Sequence, residues 1–203
     1  MADNIAITAG TGTTVATDDV SGVHYQRVKL VDGTLESVAA IPGDATNGLR
    51  VNTRGGGINI TQTPTITAGA YSAKDAVGGL LTFANAVRVS GGSAVLNTVI
   101  IKDNDDEKAG LELWLFNADP TVVADNAAMD FTDANMLKCV GIVPISTSDY
   151  YSLADNGAAC VRGIGLQFQC AVTSLFGQLK CTGTPTYTAT SDLSVIIAVE
   201  YLD

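Results

Sequence analysis

At 203 residues the chain can bury one sizeable core, or a small arm beside a sandwich of roughly 140 residues. Eleven Lys and Arg against 21 Asp and Glu give a formal net charge of −10, which opposes direct contact with nucleic-acid phosphate. Charged residues make up 16% and hydrophobic residues 46%, with 21 glycines, a balance that favours close-packed β structure and protein–protein burial over long helices or disorder.

The opening Met1-Ala2-Asp3-Asn4 has neither the basic nor the apolar stretch of a secretory signal. No apolar run approaches the roughly 18 residues that cross a bilayer, so a soluble product of the cytoplasm with no membrane partner is expected. Residues 1–60 read as an extended arm with short β segments, interrupted by Asp32-Gly33, Pro42-Gly43-Asp44, Asn47-Gly48 and Gly55-Gly56-Gly57. The pieces Val23–Val31 and Leu49–Thr53 are too short to fold alone. Val23, His24, Tyr25, Gln26, Arg27 and Lys29 make the best interaction strand of this arm. The glycine triplet and the following Ile58–Pro64 predict a hinge into a second domain, 61–203.

Strand-like runs then recur: Thr65–Ala68, Leu80–Val89, Ala94–Lys102, Leu111–Asn117, Val140–Ser146, Ala158–Gln169, Ser174–Thr182 and Leu193–Leu202. Ser90-Gly91-Gly92-Ser93 and the acidic loop Asp103–Gly110 predict hairpins. One helical segment is predicted over Asp125–Lys138, capped by Asp125 and interrupted at Phe131-Thr132-Asp133. The fold class that follows is all-β: an antiparallel β-sandwich, jelly-roll-like, with an extended N-terminal arm and at most one short helix. In Leu111–Phe116, Leu111, Leu113 and Leu115 alternate with Glu112, Trp114 and Phe116; Val195, Ile197 and Val199 likewise oppose Ile196 and Ala198. Strands apolar on both faces lie centrally or have a covered outer face, and subunit packing is one way to cover it.

Catalytic patterns are scarce. His24, the only histidine, has no companion ligands and no oriented nucleophile. The loop Asp103-Asn104-Asp105-Asp106-Glu107 offers Asp103, Asp105, Asp106 and Glu107 as oxygen ligands for a hard cation such as calcium, without the glycine and distal glutamate of an EF-hand; a solvated turn is the simpler reading. Asp149, Asp155 and Glu200 are available as a glycosidase pair, but the single Trp114 sits in a core-like strand and supplies no sugar platform. Gly10-Thr11-Gly12 is a fragment of a dinucleotide signature without its helix, and no nucleophile elbow or phosphate loop occurs, so no cofactor is expected. Cys139, Cys160, Cys170 and Cys181 form no Cys-x-x-Cys pair; reduced thiols are the default, and three pairings stay open should they oxidise. In a regular strand Cys160 and Cys170 share one face, about 33 Å apart at ~3.3 Å per residue, too far to bond to each other. Arg27, Lys29, Arg50, Arg54, Lys74 and Arg88 place six of the 11 cations in the first 90 residues, which suits docking of that portion on an acidic surface.

Two blocks carry a resemblance: ATDDVSGVHYQRVKL, residues 16–30, and TAGAYSAKDAVGGLLTFANAVRVSGGS, Thr67–Ser93. Both are similar to stretches of tailed-bacteriophage virion structural proteins of the head decoration or accessory type. The resemblance implies a non-enzymatic protein, made in the host cytoplasm and built into the virion, whose partner is the major capsid protein or another virion protein. It implies a homo-oligomer, taken as a trimer, that decorates or stabilises the capsid through its arm. The alternative is a neck, tail or fibre component whose loops Tyr71–Asp75 and Asp149–Asn156 bind a host glycan.

Overall fold

The computed structural model describes residues 56–202 throughout, and before them the backbone of 17–20, 23–26, 43–44 and 48–49. Two compact units divide at residue 52, so the sandwich claims more of the chain than the boundary at 60 allows. In the first unit, β1 (Thr17–Val20) and β2 (Val23–Gln26) pair antiparallel, with Asp19 opposite His24 and Asp18 opposite Tyr25. β3 (Gly43–Asp44) and β4 (Gly48–Leu49) form a second short pair. Arg27, Lys29, Arg50, Arg54 and Gly10-Thr11-Gly12 lie outside the described residues.

The second unit contains β5 (Gly57–Gln62), β6 (Ala76–Phe83), β7 (Ser93–Asp103), β8 (Leu111–Phe116), a single helical turn α1 (Asp133–Met136), β9 (Cys139–Ile145), β10 (Tyr150–Ser152), β11 (Gly157–Gln169), β12 (Leu175–Cys181) and β13 (Leu193–Tyr201). One sheet runs β10-β11-β7-β13-β5 and the other β6-β12-β8-β9, with every pairing antiparallel. Four pairs nest within one another along the chain: β5 with β13, β6 with β12, β7 with β11, β8 with β9. That nesting, rolled into two sheets, is a jelly roll.

The alternation read from the sequence fills the space between the sheets. Leu111, Leu113 and Leu115 point inward from β8, Leu96, Val99 and Ile101 from β7, and Val195, Ile197 and Val199 from β13, all buried. At about 1.5–3 kcal/mol for each large apolar side chain removed from water, these rows hold the sheets together. In β11 the pairing to β7 shifts between Arg162 and Leu166, where Gly163 and Gly165 adopt φ of +67° and +64°. Such a bulge inserts residues that glycine accommodates without a Cβ clash. It reverses which alternate positions face inward, so Val161 before it and Leu166 and Phe168 after it all meet the core.

Several expectations are corrected. Ile58–Pro64 is not a hinge: Ile58 and Ile60 alternate with Asn59 and Thr61, and β5 completes the sheet beside β13. Thr65–Ala68 is no strand, although Ile66 N–H donates to the Thr190 carbonyl at 3.0 Å. The run from Leu80 to Val89 breaks at Asn85, whose φ is +59°, and the strand lies earlier, over β6. Ser90–Ser93 and Asp103–Gly110 are not hairpins but crossings, since β6 and β8 belong to the opposite sheet from β7. Turn residues mark where a chain reverses, not which sheet it returns to. The predicted helix shrinks to α1, capped by Thr132, whose side chain accepts from Asn135 N–H. Asp125 caps nothing; it ties three segments together, accepting from Thr67 Oγ1 at 2.6 Å, the Tyr71 hydroxyl at 2.7 Å and Gly78 N–H at 2.6 Å.

Candidate functional site

The acidic loop between β7 and β8 shows what its carboxylates do. Asp103 is fully buried and accepts Asp105 N–H at 3.1 Å and Lys108 N–H at 2.7 Å. Asp105 takes Thr188 N–H and Oγ1, Glu107 takes Thr186 N–H, and Asp106 pairs with Lys108 at 3.0 Å. Within the β12–β13 loop itself, Asp192 accepts Thr188 and Ala189 N–H. Asp105 and Glu107 therefore clasp the β7–β8 loop to the β12–β13 loop, while Asp103 and Asp106 hold the β7–β8 loop to itself. No three described His, Cys, Asp or Glu residues converge to hold a metal ion. Beside this clasp the hydroxyls of Tyr150 and Tyr187 and Oδ1 of Asp106 are buried without a hydrogen-bond partner. Burial first, then the Asp103 charge, pushes both phenols far above the ordinary tyrosine value, so they stay neutral.

The carboxylates weighed as glycosidase candidates are not brought together. Asp149 accepts Ser146 N–H at 2.7 Å in a capping box at the 3-10 turn Thr147–Asp149, next to β10. Glu200 sits on β13 opposite Val95, near the other end of β7, and accepts from Asn97 at 3.2 Å. Asp155 is in the exposed loop between β10 and β11. Of the two loops considered for glycan contact, Tyr71–Asp75 begins with a side chain only 2% exposed, held by Asp125 and edge-on to Tyr187 at 5.9 Å. The segment Asp149–Asn156 is not a loop throughout but contains β10, and it does present side chains, with Tyr151 71% and Leu153 66% exposed.

All four thiols are free. The β11 bulge separates the faces of Cys160 and Cys170 that a regular strand would share: Cys160 is half-buried opposite Ile100, and Cys170 is fully buried. Burial pushes Cys170 up to about 11 and also raises Cys181, whose thiol donates to the Ser72 carbonyl at 3.0 Å. Iodoacetamide is expected to leave Cys170 and Cys181 unmodified in the native chain and to reach both in denaturant; peptide mass mapping of native protein showing either one alkylated would contradict this burial.

What the molecule leaves open is surface, and its two outer faces differ. On the four-stranded sheet, Trp114 and Phe116 project outward from β8 and are covered by the excursion 117–138: Phe131 lies 5.8 Å from the Trp114 ring and 5.0 Å from Phe116. Gln178, fully buried on β12, fastens that cover by donating to the Val123 carbonyl at 2.6 Å and accepting Val123 N–H at 3.1 Å. Glu112 and Lys180 close its edge with an ion pair at 2.6 Å. Partial burial pushes the Glu112 carboxyl up, but Lys180 and the Trp114 N–H outweigh it and hold the group below its usual range. The double alternation of β8 thus has an internal explanation and needs no second subunit. No family model matches the chain, and no curated protein matches it. The five-stranded sheet turns outward a second field, centred on the half-buried Ile100, Ile196, Ala198 and Val95, and this field is the candidate interaction site. The apolar outward positions of β13 had pointed to it; the cover over β8 had no readable signal, because Gln178 and Val123 are far apart in sequence.

Proposed function

We propose that the chain is a non-enzymatic structural protein of a phage virion, decorating or stabilising the capsid through subunit–subunit contacts of its N-terminal arm. The sandwich is the body of a homo-oligomer, taken as a trimer, which gives several weak arms a joint grip far above that of one. The observation that supports this reading is the spending of polar side chains on the fold itself: the clasp, Asp125 and Gln178 serve backbone groups, and what remains presented is β surface. Jelly rolls are used in viral capsid and lectin domains, an analogy of architecture that agrees with the resemblance of residues 16–30 and Thr67–Ser93. Removing residues 2–30 is expected to abolish binding to purified particles while the far-ultraviolet dichroism of the sandwich is retained. Unchanged occupancy overturns the arm mechanism.

A second reading, a neck, tail or fibre component that binds a host glycan, draws on Tyr151, an exposed aromatic on β10 within the segment Asp149–Asn156. Immunogold labelling of particles with an antibody against the sandwich separates the two. Label over the head supports decoration, label at neck or tail supports the second reading, and no label with a validated antibody overturns both.

A further inference from the structure

The outer face of the five-stranded sheet has the anatomy of an interface. Cross-strand registers set its rows: Cys160, Ile100, Ile196 and Thr61 lie side by side across β11, β7, β13 and β5, and Arg162, Thr98, Ala198 and Asn59 form the next row. The row beyond Ile100 contains Ala158, Lys102 and Ser194, and the row at the far end contains Gln167, Val95 and Glu200. Ile100, Ile196, Ala198 and Val95 thus share the centre with the smaller polar Thr98 and Asn97, while Lys102, Arg162, Glu200 and Gln167, all exposed, form the rim. An apolar centre inside a polar rim is how protein interfaces are organised. Tyr151, opposite Ala158 on β10, adds an exposed aromatic at one corner.

We propose that this face packs against the same face of a second copy of the chain, about a two-fold axis lying in the face and perpendicular to its strands. Three observations favour that occupant. The first is charge: of the 14 carboxylates within residues 56–202 this face carries Glu200 alone, beside Lys102 and Arg162, so the described residues of two copies can approach here with little repulsion. The second is self-complementarity. The axis reverses strand direction, bringing the Lys102 end of one copy to the Glu200 end of the other, and it sets the large Ile100 and Ile196 over the small Thr98 and Ala198. One patch meeting itself in this way is an isologous contact. The third is size. Four strands spaced ~4.8 Å apart, over the span from Val95 to Lys102, cover about 500 Å² per copy and about 1,000 Å² for the pair, the area at which specific interfaces begin. On the other sheet the excursion 117–138 covers Trp114 and Phe116, while Ile142 of β9 stays 44% exposed. This inference does not depend on the virion reading.

The test uses the full chain and two substitutions that point away from the core, Ile196→Glu and Ala198→Arg. By light scattering after size exclusion, each variant is expected to have half the wild-type mass, whether the wild type is a pair or an assembly of pairs, with unchanged dichroism. Alkylation of Cys160 is expected to be about tenfold faster in the variants, since reagent reaches only the unpaired copies and the rate scales with their fraction, whereas Cys139, on β9 of the other sheet, serves as an internal standard with an unchanged rate. A wild type with single-copy or three-copy mass overturns the proposal, since a two-fold contact needs an even number of copies, as do folded variants that keep the wild-type mass. Cys160 protected in a single-copy wild type also overturns it, because residues of the same chain then cover the face.

Discussion

Replacing Gln178 by leucine is expected to destabilise the sandwich by about 3 kcal/mol and to shift the fluorescence of Trp114 to longer wavelength. The side chain is fully buried, and its amide serves three backbone groups: the carbonyls of Gly78 and Val123 and the N–H of Val123. Leucine matches its bulk and satisfies none of them, and each orphaned buried group costs about 1–3 kcal/mol, less where water can reach it. The loss falls on the attachment of the excursion 117–138 to β12. Once that attachment loosens, Phe131 leaves the ring of Trp114, which is the only tryptophan in the chain and so reports the event without interference. Urea unfolding followed by fluorescence measures both effects. A variant within 1 kcal/mol of wild type, with the same emission maximum, would show that the excursion is held by its apolar contacts alone.

Asp103→Ala is expected to cost about 2 kcal/mol and to change how stability depends on pH. Two N–H groups, of Asp105 and Lys108, lose their acceptor, while the burden of keeping a buried carboxylate disappears with it. Burial raises the Asp103 carboxyl above its ordinary 3.8, against the opposing pull of the Lys108 and Asp105 N–H groups. The folded chain therefore keeps this proton to higher pH than the unfolded chain does. The contribution of Asp103 is fully favourable below 3.8, declines as pH rises from there through the folded value, and is constant beyond it. The stability difference between wild type and variant should accordingly narrow with rising pH across that window. Urea midpoints collected from pH 3.5 to pH 7, at about half-unit steps, resolve the trend; a difference that is flat or widens would mean that burial does not govern this group.

Six strands could be read from the sequence almost to the residue, from β7 and β8 through β9, β11, β12 and β13, because each alternates over a run bounded by glycine, serine, proline or acidic residues. The inner rows Leu111–Leu115 and Val195–Val199 were legible for the same reason. β5 was concealed by Gly55-Gly56-Gly57 and Pro64, which read as breakers although glycine is tolerated at the end of an edge strand. The association of strands into sheets was not legible, because the turn signals at Ser90–Ser93 and Asp103–Gly110 serve equally for a hairpin and for an arch between sheets. The acidic loop was visible as chemistry but its partners were not: Asp103 and Asp105 draw theirs from backbone groups, and Thr188 is brought to Asp105 only by the fold. Gln178 and Asp125 carry no local pattern at all.

The position of β13 has a consequence for how the sandwich is made. Leu193–Tyr201 is synthesised after the other described strands of the sandwich, yet it lies between β7 and β5, and until it arrives those two have no common neighbour. The nested pairing makes the earliest strand of the sandwich wait for the latest, so loop-closure entropy must be overcome across nearly the whole domain before the sheet can zip. During translation β7 and β5 are exposed edges with apolar inner faces, and the chain is at its most vulnerable to aggregation in the interval before β13 leaves the ribosome.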